Sequence, residues 1–107
     1  MIELVYYRDE NGHSPFIEWI TALRDKMAKA RIAARLRQLE AGNFGDAKPV
    51  GEGVMELRIH IGAGYRVYCG MRGQDWVILL CGGDKDSQPK DILRAKVLWM
   101  EWKRRQP

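Results

Sequence analysis

A chain of 107 residues, 46% apolar and 30% charged, is long enough to bury one core and too short for two, so residues 1–107 are expected to form a single domain. That balance excludes a globally disordered chain, and no apolar run approaches the roughly 20 residues that cross a bilayer. The formal net charge of +4 permits an anionic partner without identifying one.

The opening Met1-Ile-Glu-Leu-Val-Tyr-Tyr7 lacks the charged-then-apolar layout of a signal peptide, so a cytoplasmic location without a membrane partner is expected. Ile2 to Tyr7 is rich in β-formers and predicts a first strand. Arg8 to Gly12 is a polar turn. Ser14-Pro15 then predicts a helix start, with Ser14 as N-cap and Pro15 in the first helical position. Phe16, Ile17, Trp19, Ile20 and Leu23 make a wide apolar stripe that belongs to the core. Asp25 opens a second helix running to about Ala41, ended by Gly42-Asn43, with Met27, Ile32, Leu36 and Leu39 on its buried side. Lys26, Lys29, Arg31, Arg35 and Arg37 cover the rest. They read as a solvated face or, more sharply, as a contact for RNA phosphates or an acidic partner.

Phe44 to Gly53 reads as a glycine-rich connection, and it lacks the ending of a phosphate-binding loop. Val54 to Ile61 and Tyr65 to Met71 then form a hairpin closed by Gly62-Ala63-Gly64. A three-residue loop pairs Ile61 with Tyr65, Ile59 with Val67 and Leu57 with Cys69, all on one face. The other face receives Glu56, Arg58, His60, Arg66 and Tyr68, with Arg58 opposite Tyr68 and His60 opposite Arg66. Trp76 to Cys81 is a fourth strand, joined through Gly73-Gln74 in a register that pairs Cys69 with Ile78. After the polar loop Gly82 to Gln88, Ser87 caps a last helix that has Pro89 in its first turn and reaches about Arg104. Ile92, Ala95, Trp99 and Trp102 share one of its faces, and Leu93, Val97 and Met100 lie beside it. So broad an apolar surface implies packing against the sheet or against a partner.

The expected class is α+β, in the order β-α-α-β-β-β-α. The last three strands form an antiparallel meander in a small sheet, and the two N-terminal helices pack on one face. Cys69 and Cys81 fall within apolar strands and read as buried, reduced thiols. No cysteine or histidine spacing suggests zinc, so neither a metal nor a cofactor is expected.

The cluster of Arg58, His60, Arg66 and Tyr68, with Lys85 and Asp91 arriving just after the fourth strand, admits two readings. The plainer one is a charged surface with pairs such as Glu56 or Asp84 against arginine. The sharper one is a phosphate platform, because guanidinium grips phosphate bidentately and an aromatic ring can stack a base. Cleaving RNA through its own 2′-hydroxyl needs a proton acceptor, charge stabilisation on the phosphate and a proton donor to the leaving oxygen. His60 is the one imidazole placed for such work, since His13 precedes the first helix.

The runs Pro49 to Arg58, Gly64-Tyr-Arg-Val-Tyr68 and Leu79-Leu-Cys-Gly-Gly-Asp-Lys-Asp-Ser-Gln88, with Asp91-Ile and Ile32-Ala-Ala-Arg-Leu36, resemble the RelE/ParE toxin superfamily. Within it, the resemblance is to the HigB-like, phage Gp49-like addiction module killer proteins. It implies a RelE-like fold and the toxin of a type II toxin–antitoxin system, neutralised by a small helix-turn-helix antitoxin. Any DNA contact would run through the antitoxin complex. RelE-like members are ribosome-dependent mRNA endoribonucleases, or mRNA interferases, that inhibit translation. By position, Arg58 and Arg66 would hold the scissile phosphate and Lys85 would share that role. Asp91 stands where some members carry a tyrosine used in stacking or catalysis, a departure from the family pattern. His60 and Tyr68 are acid–base candidates from their chemistry alone, with no family match. ParE members share the fold but inhibit DNA gyrase and are not nucleases. A basic nucleic-acid-binding module without catalysis is the remaining alternative.

Overall fold

The structure, a computed structural model, describes residues 1–106. Its elements are β1 (Glu3–Tyr6), α1 (Pro15–Ala22), α2 (Lys26–Glu40), β2 (Ala47–Gly51), β3 (Val54–Ile59), β4 (Tyr65–Arg72), β5 (Trp76–Asp84) and α3 (Gln88–Arg105). The expected α+β class and terminal meander hold. One sheet runs β1-β5-β4-β3-β2, with β1 parallel to β5 and every other pair antiparallel.

The meander gains a strand that the glycine-rich connection concealed. Residues Ala47–Gly51 pair with β3, with a bulge between Pro49 and Gly51. Proline lacks the amide that a central strand needs but is tolerated at a sheet edge, and β2 is an edge. Short, bulged and proline-bearing, it also resists pairing with another chain.

Both N-terminal helix starts are as expected. The Ser14 hydroxyl accepts from Ile17 N at 3.3 Å, and the Asp25 carboxylate accepts from Ala28 N at 3.0 Å. These caps satisfy amides that the first turn leaves without partners. Met27 is a correction, because it is exposed while Ala28, Ile32 and Leu39 are fully buried. At about 100° per residue, Met27 lies roughly a third of a turn from the centre of the stripe those three define.

The sheet separates two cores. Phe16, Ala28, Ile32 and Leu39 of α1 and α2 pack on Leu57, Ile59, Val67, Cys69 and Leu79. On the opposite face, Ala95, Leu98, Trp99 and Trp102 of α3 pack on Val54, Tyr68, Ile78, Leu80 and Cys81. Cys69 and Cys81 are free, and burial pushes each thiol up to about 12, as expected of inert reduced thiols. They belong to cores on opposite sides of the sheet. Glycines let the helices approach closely: a Cβ on Gly82 would overlap the Trp19 indole, and one on Gly70 would overlap Trp99. Gly82→Ala is expected to cost about 1–3 kcal/mol by overpacking, read as an earlier urea midpoint at unchanged slope.

Two hairpin registers differ from expectation. In β3–β4, Ile59 pairs with Tyr65, Leu57 with Val67, Arg58 with Arg66 and Glu56 with Tyr68. The strand stops at Ile59 because Ile61 N bonds Ile59 O and Gly64 N bonds Ile61 O, each at 3.0 Å, closing a five-residue loop. Ile61 then folds onto the α1–α2 core instead of extending the strand. The shift is by two residues, so each strand residue keeps its expected face but changes its partner. In β4–β5, Arg72 pairs with Trp76 around a three-residue loop whose Gly73 has φ 61°, and a bulge follows at Tyr68/Cys69. Cys69 therefore meets Leu79, not Ile78. This register stacks Arg72 over both Trp76 and Trp102, 5.7 Å from each ring centroid.

Candidate active site

The site grows from one buried carboxylate. Alternation along β3 turns Glu56 and Arg58 toward the α3 side, and β4 brings Arg66 and Tyr68 to the same side. Glu56 is fully buried. Its Oε1 accepts from Arg58 Nε at 2.9 Å, and its Oε2 accepts from the Tyr68 hydroxyl at 3.2 Å and Gln88 Nε2 at 2.8 Å. Arg66 Nε stands 3.7 Å from Oε2, an ion pair too long for a hydrogen bond. Burial alone would raise the Glu56 carboxyl. Hydrogen bonds from Gln88, Arg58 and Tyr68, with the Arg58 charge, overcome this and hold it below the ordinary value.

Arg58 and Arg66 are cross-strand partners on one face. Like charges directly opposite one another destabilise a sheet, and here a single carboxylate lies between them. Arg66 remains incompletely satisfied, because its Nε is buried and has no hydrogen-bond partner among the described residues. Its Nη1 donates to Gly64 O at 3.3 Å. Lys85 is exposed just after β5, its Cβ 3.6 Å from where a Cβ on Gly64 would lie. Lys85 thus lies beside the β3–β4 loop, whose Gly64 carbonyl also accepts from Arg66.

Tyr68 is in the cluster but not on its surface. It is fully buried under α3, so its ring has no exposed face on which a base could stack. Burial, then the charge and hydrogen bond of Glu56, raise its hydroxyl far above the usual tyrosine value. Helix α3 covers much of this sheet face.

His60 is a second correction. It lies beyond the end of β3 and does not face Arg66; its ring Nε2 bonds the Asp46 carboxylate, and its side chain is 73% exposed. That bond is the main cause holding the Asp46 carboxyl below its ordinary value. His60 and Asp46 nevertheless share with Arg58, Arg31 and Arg35 a surface depression of about 300 Å³. Arg35 is committed to structure, donating to Phe44 O at 2.6 Å and Asp46 O at 2.7 Å. His13 is exposed at the Arg8–Gly12 turn, where it pairs with Asp9.

Asp91 is nearly buried in the first turn of α3 and accepts from the Ser87 hydroxyl. Ser87 occupies the N-cap position, but its hydroxyl makes no cap bond and serves Asp91 and Asp84 instead. Gly83, the cross-strand partner of Arg66, makes room for this carboxylate, because any Cβ there would overlap it. The plain expectation of Glu56 against arginine is met. Gln88 and Asp46 are the members that sequence reasoning missed. The only signal for Gln88 was its place at the start of α3, and nothing marked Asp46. Among the described residues no group of three or more histidine, cysteine or acidic side chains could hold a metal ion. No helix among the described residues is long and apolar enough to cross a membrane.

Residues 18–98 match the family described as phage derived protein Gp49-like. An uncharacterized protein of Haemophilus influenzae is 52% identical over 86 residues, covering 80% of this chain and 87% of that relative. The chain belongs to the phage-derived, Gp49-like family, which is of the RelE/addiction-module type, suggests the toxin of a toxin–antitoxin pair and implies an antitoxin partner.

Proposed function

We propose that residues 1–107 act as one HigB-like toxin domain of a type II system, a metal-independent mRNA endoribonuclease that works on the ribosome and inhibits translation. The observation that carries this reading is the opposed Arg58–Arg66 pair tied to one buried carboxylate. Structure alone needs no second guanidinium there, and a phosphate relieves the repulsion between the two. Arg58, Arg66 and Lys85 would hold the scissile phosphate and stabilise the charge that builds on it. Glu56 and Tyr68 fix the arginines from beneath.

His60 accepts the 2′-hydroxyl proton in this scheme. Asp46 bonds Nε2 and orients the imidazole, and Nδ1 would take the proton within the depression that His60 shares with Arg58. The leaving 5′-oxygen takes its proton from solvent, because Tyr68 is closed off and Asp91 is shut between Ser87 and Gly83. His60→Asn is expected to slow cleavage by about 10²–10⁴-fold. An unchanged single-turnover rate would move the base elsewhere.

The partners in this reading are the ribosome with its mRNA and a helix-turn-helix antitoxin, with DNA met only through the antitoxin complex. A cytoplasmic location follows from those partners. Primer extension on a message translated in an extract containing the purified chain tests the function. Cuts spaced by codons and dependent on ribosomes are expected. An intact message together with trapped gyrase–DNA complexes would overturn the reading in favour of gyrase inhibition, and an intact message without such complexes would leave a binding module.

A further inference from the structure

The last helix is amphipathic twice over. Asp91, Ala95, Leu98, Trp99 and Trp102 face the sheet and are buried. Leu93, Val97 and Met100 are 67%, 55% and 57% exposed. At about 100° per residue these three occupy an arc of roughly 60° on the side away from the core. Their spacing of four and three residues is that of a helix–helix seam. Among the described residues, neither core cluster includes these three side chains.

The borders of the stripe are basic. Lys90 and Arg94 flank it on one side, Lys96 on the other, and Arg104 continues it at the C-terminal end. The nearby Glu101 is engaged by the Tyr7 hydroxyl at 2.7 Å. We propose that the outer face of α3 seats an amphipathic helix of the antitoxin, one with apolar residues at i, i+4 and i+7 and aspartate or glutamate on both flanks. Charge selects this occupant over a second copy of the chain, whose own α3 would set lysine and arginine against lysine and arginine. A lipid surface fits less well. Interfacial helices present a broad apolar face with aromatic anchors, whereas this stripe is narrow and Trp99 and Trp102 turn inward. Only the partner's identity as an antitoxin rests on the toxin reading; the seat and its chemistry do not.

The probe is a labelled synthetic helix with leucines at i, i+4 and i+7 and glutamates on both flanks, set beside a lysine-flanked twin, each titrated against the full chain by anisotropy. The acidic peptide is expected to bind with a dissociation constant on the order of micromolar, and the basic twin about 10-fold or more weaker. Leu93→Glu/Val97→Glu should weaken the acidic peptide by about 100-fold while leaving circular dichroism and ribosome-dependent cleavage unchanged. Equal binding of the two peptides, or an unaffected double variant, overturns the proposal. So does a wild-type dimer in sedimentation that the double variant dissolves, or capture of wild type alone by phosphatidylserine vesicles. Peptide binding is read without ribosomes, so loss of the nuclease reading leaves this result standing, and the reverse.

Discussion

Glu56→Ala is expected to lower the unfolding free energy by about 3–5 kcal/mol, the usual cost of stripping one partner from a buried charged network. The substitution leaves Tyr68 and Gln88 without acceptors and sets Arg58 against Arg66 with nothing between them. Glu56→Gln should cost less, because its amide oxygen still accepts while the charge is lost. Acid separates the two effects. Folded Glu56 titrates below its ordinary value of 4.5, so its contribution is complete above that pH and is lost as pH falls through the lower folded value. Urea midpoints followed into acid should therefore fall less steeply for Glu56→Gln than for wild type. A residual slope is expected, because hydrogen bonds also hold Asp9 and Asp46 below their ordinary values. Identical slopes would mean that Glu56 is not the buried anion at the centre of this site.

Arg66→Ala is expected to reduce single-turnover cleavage by about 10²–10³-fold, the range for removing one well-placed donor to developing charge. The fold should tolerate the change. Glu56 keeps its hydrogen bonds from Arg58, Tyr68 and Gln88, and the buried Nε that lacks a partner disappears. Arg66→Lys should not restore the rate, because an ammonium is a point charge and cannot present the planar fork that grips two phosphate oxygens. A lysine variant as active as wild type would reduce Arg66 to a source of positive charge.

Much of this arrangement is legible in the sequence. Alternation alone placed Glu56, Arg58, Arg66 and Tyr68 on one face, because a shift of two residues preserves parity. Parity does not fix partners, however. Ile61 folding onto the α1–α2 core ended β3 early and removed His60 from the face, a tertiary effect that no local pattern carries. The β4–β5 register failed differently, since Gly73 opens a loop of three residues and a bulge follows. Strand β2 was hidden because proline and glycine argue against a strand except at an edge, and edge position depends on the whole sheet. The burial of Tyr68 was equally out of reach, since period-two alternation does not say which helix will cover a face. The broad apolar surface of α3 was visible, but only packing divides it into an inner stripe that meets the sheet and an outer one that remains free.

In the proposed function, Arg58 and Arg66 are opposed in order to receive a phosphate. Single-turnover cleavage of a message bound to programmed ribosomes, with wild type beside Arg58→Ala and Arg66→Ala, tests it most directly. The prediction is ribosome-dependent cutting by wild type, a loss of about 10²–10³-fold in each variant, and little further loss when both are combined, because the pair acts as a unit. Full activity in both single variants at unchanged stability would contradict it.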